Sequence, residues 1–321
     1  MRLGIVGAGV MGARFGEAAQ AMSVFTVTGV VDQQADRVSA PAARLGGQPF
    51  TSIEQLAGRV DAVYIGVPHD QHLAACVAAA AAGIHVLIDK PLCNTADEAR
   101  AIGAAAFAAG IRVMVGFSYR YRAEWVRAAQ ILASGAIGRP RLAIDVLIEA
   151  AAATPAWYWD EAAGGGVVQL QSHHCFDRLA WVLGDRFTTV ACQTAAQPGF
   201  AEDTAVITAV TARGTIAAID IGLGRTYTAA PQPSTVIQGD LGHITIDHER
   251  RITLHTDEGV TELDYADDDW LTSELAAFAA FITDNEPAPG VPEGTAALDC
   301  ALAAAASARE GGAVQTVVSG A

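Results

Sequence analysis

The sequence predicts an α/β protein: a doubly wound parallel sheet in the first third of the chain, then an α+β part built on a large, open, mostly antiparallel sheet. Three observations predict it. Up to residue 118, short and nearly continuous apolar runs alternate with alanine-rich helical stretches. Beyond it, the runs become alternating and β-branched, with glycine or acidic turns between them. The length, 321 residues, exceeds what one core usually holds, so two domains are expected, 1–118 and 119–321.

In the first domain RLGIVG, FTVTGVV, AVYIGVP, HVLID and RVMVGF read as five strands buried on both faces. The segments ARFGEAAQAM, ADRVSAPAARL, QHLAACVAAAAAG and ADEARAIGAAAFAAG between them read as crossover helices. A further helix, AEWVRAAQILASG, ends at Gly135 and leaves through GAIGRP. The second domain offers RLAIDVLIEA, TTVACQTAA, TAVITAVTA, GTIAAIDIGLG, STVIQGD, GHITIDH and RITLHTD as strands. Two helices follow, WLTSELAAFAAFITDN and GTAALDCALAAAASAREGG, with Asp268 or Asp269 near the first one's cap.

Composition excludes several functions. Twenty basic against 35 acidic residues give a net charge of −15, which argues against nucleic-acid partners and anionic membrane surfaces. The longest apolar run, LAACVAAAAAGIHVLI, is broken by Gly83 and His85 and falls short of a membrane span of about 20 residues. The N-terminus has a basic residue and an apolar run like a secretory signal, but its glycines and Arg14 spoil that reading. The five cysteines, at 76, 93, 175, 192 and 300, show no CxxC spacing and point to neither a disulfide framework nor a zinc site. A reducing cytoplasm suits them, and no metal is implied.

The first chemical motif is GAGVMG, with Gly7, Gly9 and Gly12 in G-x-G-x-x-G spacing and Val10 and Met11 between the last two. It follows an apolar strand, opens a helix, and lies 20 residues before Asp32 at the end of the second strand. That context is the dinucleotide-binding fingerprint of a Rossmann domain: a tight turn, backbone amides near a pyrophosphate, and close helix packing. Asp32 would accept from the adenosine ribose and repel a 2′-phosphate, and Gln33 and Gln34 add no positive charge, so NAD is expected over NADP. The second motif is HVLIDKPLC, which places Asp89 and Lys90 at the end of the fourth strand, where open α/β sheets bind ligands.

Together these segments resemble the glucose-fructose oxidoreductase, inositol dehydrogenase and rhizopine catabolism family, Gfo/Idh/MocA, over nearly the whole length. IGVPHDQH, with Pro68 and His72, resembles its third-strand loop. AAGIHVLIDKP resembles its A-x-x-G-x-H-V-x-x-E-K-P motif, with Asp89 in place of glutamate. GFSYRYRAEWVRAAQILASGAIGRP, including Arg120, and GGGVVQLQSHHCFDRLAWVLG resemble the start of its second domain and its glycine-rich entry to a substrate-side helix.

The resemblance implies hydride transfer from a sugar or polyol C–H to NAD, and a homodimer or homotetramer associating through the open sheet. It implies cofactor contacts from Gly7, Gly9, Val10, Met11, Gly12, Asp32, Pro68, His72, Asp89 and Lys90. Lys90 would hydrogen-bond the reacting oxygen, and His174, with His173 as its rival, would accept the proton. Many family members carry Asp or Asn one turn before that histidine; here the position is Leu170. Gln169, Gln171 and Ser172 are the polar residues nearby, and two satisfied core histidines are the plainer alternative.

Arg120, Trp157 and Gln171 are candidates for substrate contact; Trp157, Tyr158 and Trp159 form either an aromatic wall for a sugar ring or ordinary core. Arg120, Tyr121 and Arg122 fall at the expected domain boundary, and hinge packing explains them equally well. Two other functions stay open. One is a redox-elimination glycosidase that returns the hydride, and the other is a cofactor-dependent sugar sensor without turnover.

Overall fold

A computed structural model of the chain describes residues 1–150, 154–160, 165–224, 234–247, 249–266 and 269–318. It divides into two compact units, Met1–Ser118 with Asp269–Thr295, and Tyr119–Asp268 with Ala296–Ala321.

The first unit holds a six-stranded parallel sheet made of β1 (Arg2–Val6), β2 (Thr26–Val31), β3 (Gln48–Phe50), β4 (Ala62–Ile65), β5 (His85–Asp89) and β6 (Val113–Gly116). Its order, β3-β2-β1-β4-β5-β6, is that of the Rossmann fold. Leu3, Ile5, Val63, Ile65, Val86 and Ile88 have no exposed surface, as strands covered on both sides require. The covering helices are α1 (Val10–Gln20), α2 (Ala35–Leu45), α3 (His72–Ala81) and α4 (Ala96–Ala109). The chain passes out to β2 on one side of β1 and back to β4 on the other, so the order reverses beside the carboxyl end of β1. The three-residue β3, which contains Pro49, is too short for a periodic signal and is absent from the sequence reading.

The α7 helix (Trp270–Thr283) also belongs to this unit. Its Leu275 and Phe278 are fully buried, and the Trp270 ring meets the Phe15 ring edge-on at 6.1 Å between centroids. Residues 119–321 are therefore not one continuous body: 269–295 return to the first unit because that is where the apolar face of α7 is covered.

The second unit holds a nine-stranded sheet in the order β14-β13-β12-β11-β7-β10-β9-β8-β15. The strands are β7 (Pro140–Ala150), β8 (Phe187–Ala195), β9 (Thr204–Thr211), β10 (Ile216–Gly224), β11 (Ser234–Gly239), β12 (Gly242–Ile246), β13 (Ile252–Thr256), β14 (Gly259–Leu263) and β15 (Gln315–Thr316). Only β7 and β10 pair in parallel.

The helices α5 (Ala123–Ala133), α6 (Val167–Leu183) and α8 (Val291–Arg309, from Ala296 onward) belong with this sheet. Alternation in β9 is strict: Ala205, Ile207 and Ala209 are buried in the core that α6 shares, while Val206 and Val210 are exposed with Ile144 and Ile216. Among the described residues no helix is long and apolar enough to cross a membrane, and no group of three or more His, Cys, Asp or Glu side chains could hold a metal.

Candidate functional site

The glycines after β1 answer to different constraints. Gly7 has φ +96°, and a Cβ there would lie 2.4 Å from the Gly66 carbonyl oxygen in the loop after β4. On Gly12 a Cβ would lie 1.9 Å from the Gly7 carbonyl oxygen. Both are dictated by packing. Gly9 has an ordinary φ of −77°, and a Cβ there would meet nothing within 4 Å. Among the described residues no contact requires glycine at position 9, and the space beside it is open to close approach by a ligand.

Gly9 caps α1 with no side-chain hydrogen bond and no acid in the first turn, and Val10 is 77% exposed. The amides at this helix end thus face outward with a positive partial charge, as a diphosphate needs. Met11, half-buried, has its sulfur 3.8 Å from an Arg14 nitrogen. Asp32, at the end of β2, accepts from the Ala8 amide at 3.2 Å and from the Gln34 amide at 3.0 Å. Those two amides fix its carboxylate beside the glycine turn. The cradle fits a dinucleotide.

The loops after β4 and β5 are joined by His72. Its Nδ1 lies 2.8 Å from the Pro91 carbonyl oxygen and its Nε2 lies 3.0 Å from that of Val67, and the residue has no exposed surface. Burial pushes the imidazole pKa down while the Asp89 charge pulls the other way. With both nitrogens against carbonyls, His72 staples the two loops together. Pro68 precedes the short turn His69–Gln71 that leads into α3.

Asp89 is also engaged locally. Its Oδ1 accepts from the Lys90 amide at 2.9 Å, and its Oδ2 lies 3.5 Å from the Tyr64 hydroxyl. Burial raises its carboxyl pKa above the ordinary value, opposed by the Lys90 charge. Lys90 is half-buried and is joined to Pro91 by a cis peptide. Glu274 of α7, fully buried, completes the acidic surroundings of Tyr64, whose phenol burial pushes well above its usual range. Nothing local to α7 signals this contact.

In the second unit, the glycines before α6 are steric requirements. A Cβ on Gly165 would sit 2.5 Å from the carbonyl oxygens of Trp157 and Tyr158. Gly166 has φ +97°, and a Cβ there would sit 2.5 Å from Glu202 Oε1. Glu202 caps the helix: its carbonyl accepts from the Val167 amide at 2.8 Å and its carboxylate from the Val168 amide at 3.3 Å. Gly164 lies outside the described residues, as does Asp268; Asp269 is the α7 cap, its carboxylate accepting from the Leu271 amide at 3.2 Å.

Further along α6 the two histidines part. His173 is fully buried, whereas His174 keeps part of its surface and its ring lies edge-on to Tyr119, 5.2 Å between centroids. Leu170 is buried in the hydrophobic core, so an acid at that position would be desolvated. Gln171 is buried, and its amide nitrogen donates to Glu149 Oε2 at 2.6 Å. Arg120 holds Asp177 through Nε at 2.9 Å and Nη2 at 2.7 Å. Trp157, Tyr158 and Trp159 are half-buried and pack against the core of this unit. Cys175 is a buried thiol that burial pushes well above its usual range, which makes it inert.

Beneath α6 lies a fully buried ion pair. Arg178 donates to Asp145 Oδ2 through Nη2 at 2.7 Å and Nε at 3.0 Å, and Thr235 donates to Asp145 Oδ1 at 2.6 Å. Burial opposes the Arg178 charge, but Asp145 carries the guanidinium above its ordinary range. The Tyr119 ring is sandwiched between Arg178, at 4.3 Å, and Arg122, at 4.1 Å. Neither Glu149, Glu202 nor this sandwich is signalled by a motif.

Comparisons with known proteins agree with these features. A family model described as "Oxidoreductase family, NAD-binding Rossmann fold" matches residues 1–117, and one described as "GFO/IDH/MocA C-terminal domain" matches residues 125–245. Inositol 2-dehydrogenase 4 of Saccharopolyspora erythraea is 32% identical over 69% of this chain and 66% of its own length. The 1,5-anhydro-D-fructose reductase of Ensifer adhaerens is 33% identical over 57% of each chain. The match thus spans somewhat less than two thirds of these relatives. Among solved structures, a putative myo-inositol dehydrogenase of Sinorhizobium meliloti shares the fold with TM-score 0.85 and 23% identity, covering 99% of this chain and all of that one. An oxidoreductase of Agrobacterium radiobacter, solved with NAD+, L-tartaric acid and magnesium, has TM-score 0.87 and 19% identity, covering 99% and 98%.

Proposed function

The chain belongs to the Gfo/Idh/MocA oxidoreductase family, and from that premise we propose that it is an NAD-dependent dehydrogenase acting on a secondary hydroxyl of a sugar, polyol or related cyclic alcohol. The observation that carries the reading is Gly9, which no contact among the described residues requires and which leaves the amino end of α1 open to a diphosphate. The names of the relatives, an inositol dehydrogenase and an anhydrofructose reductase, support the substrate class.

NAD, when bound, supplies the hydride acceptor. Gly9, Val10 and Met11 receive its diphosphate on the turn that Gly7 and Gly12 make possible, and Asp32 its adenosine ribose, with Pro68 and Lys90 on the neighbouring loops. Lys90 donates to the alcohol oxygen and stabilises the charge that develops there. His174 accepts the hydroxyl proton. Trp157 and Arg120 are the substrate-side candidates, and Gln171 acts through the carboxylate that it holds. A homodimer or homotetramer covering exposed Ile144, Val206, Val210 and Ile216 belongs to the same reading.

The test is a screen of sugars and polyols with NAD, followed by NADH absorbance. NADH formation with at least one cyclic alcohol is expected. Glycoside cleavage without NADH release would replace the reading with redox elimination, and silence across the panel with ligand-dependent partner binding would replace it with a sensor. Asp32→Ala tests the cofactor preference separately. Loss of charge-assisted hydrogen bonds to the ribose weakens NAD about 10- to 100-fold, while NADP, freed from repulsion, weakens far less. Equal weakening in a binding titration would contradict the preference.

A further inference from the structure

Many family members carry Asp or Asn one turn before the histidine that His174 matches; here that position is Leu170, and a carboxylate approaches the same helix from β7. Gln171, His174 and Cys175 stand at i, i+3 and i+4 on α6 and so share a face. Glu149, near the end of β7, lies against that face on three counts. Gln171 Nε2 donates to Glu149 Oε2 at 2.6 Å; because a carboxylate only accepts, the amide's orientation is chemically determined. Burial raises the Cys175 thiol and the Tyr119 phenol, and in both cases the Glu149 charge adds to the rise. Tyr119 is the ring that meets His174 at 5.2 Å. The pleat agrees: Ala143, Asp145 and Leu147 are buried in alternation along β7, and Glu149 follows two residues on.

We propose that Glu149 is the positioning carboxylate for His174, supplied from β7 in place of an acid on α6. The inference rests on the reading of His174 as proton acceptor. When the alcohol O–H breaks and its proton bonds to the imidazole, the hydride leaving the same carbon for NAD, a nearby negative charge favours the imidazolium that results. Gln171 holds that charge in place.

Near Tyr119, the ring that His174 meets, Arg178 is paired with Asp145 and Arg122 lies 4.1 Å from the ring centroid, while Arg120 is paired with Asp177. The Cys175 thiol stays neutral. Among the described residues Glu149 forms no ion pair, and it accepts a hydrogen bond from the neutral Gln171 amide.

The test needs no substrate. In the full chain saturated with NAD and carrying 13C-labelled histidine, the His174 ring signal is assigned by its disappearance in His174→Asn and titrated by NMR. Glu149→Gln, which keeps the shape and the contact with Gln171, should lower the His174 pKa by about one unit. Glu149→Asp should restore most of it. A His174 pKa unchanged in Glu149→Gln overturns the proposal. If Glu149→Gln fails to fold, Gln171→Ala serves instead: it frees Glu149 and should shift His174 in the same direction, and no shift overturns the proposal equally. The functional reading fails differently: His174→Asn with unchanged polyol oxidation would remove His174 from the chemistry, whatever the titration shows.

Discussion

Replacing Lys90 with alanine is expected to lower turnover by about 10²- to 10³-fold while NAD still binds, because in the proposed mechanism the ammonium acts on charge that develops only as the alcohol O–H breaks. The backbone at this position is held by others. Asp89 Oδ1 accepts from the Lys90 amide, and the Pro91 carbonyl faces His72 Nδ1 at 2.8 Å, so truncation at Cβ removes the ammonium and leaves the loop. In the proposed mechanism cofactor affinity depends instead on the glycine turn and on Asp32, which is tethered to the Ala8 amide. Steady-state kinetics beside a calorimetric NAD titration separate the two effects. Unchanged turnover would remove Lys90 from the mechanism, and lost NAD binding would make it a cofactor ligand first.

The largest effect on stability is expected at Asp145. Both it and Arg178 have no exposed surface, and Asp145 accepts from Arg178 and from Thr235. Asp145→Ala would leave a guanidinium buried without its counter-charge, at a cost of about 3–5 kcal/mol. Because the chain has two units, the loss should be confined to the second. Urea unfolding followed by Trp fluorescence should show an early transition, with NAD still protecting the first unit. The double substitution Asp145→Leu with Arg178→Met removes both charges together and should recover much of the loss. A midpoint unmoved by Asp145→Ala would mean that the pair contributes nothing.

These two sites mark the limits of what the sequence makes legible. Lys90 could be read because it follows a buried apolar run and precedes proline, a local pattern. Gly7, Gly9 and Gly12 were equally legible, though only the structure separates the two demanded by packing from the one open to a ligand. Most strands and helices follow from periodicity; β3 and β15 are too short to show any, and β14 is exposed along nearly its whole length and so carries no apolar alternation.

The pairing of Asp145 with Arg178 and of Glu149 with Gln171 joins residues 33 and 22 positions apart across a strand and a helix, and no spacing rule links them. Glu202 capping α6 and α7 returning to the first unit are of the same kind. The two carbonyls that His72 faces belong to separate loops, and nothing in its local sequence signals them.

The central claim is hydride transfer from a secondary alcohol to NAD, and deuterium tests it most directly. Cyclic polyols and sugars deuterated at their carbinol carbons are mixed with the protein and NAD, and the nicotinamide product is analysed by mass spectrometry. Deuterated NADH in equal amount to a ketone product is expected, suppressed in Lys90→Ala. NADH without label, or alcohol consumed with no NADH formed by any member of the panel, would contradict it.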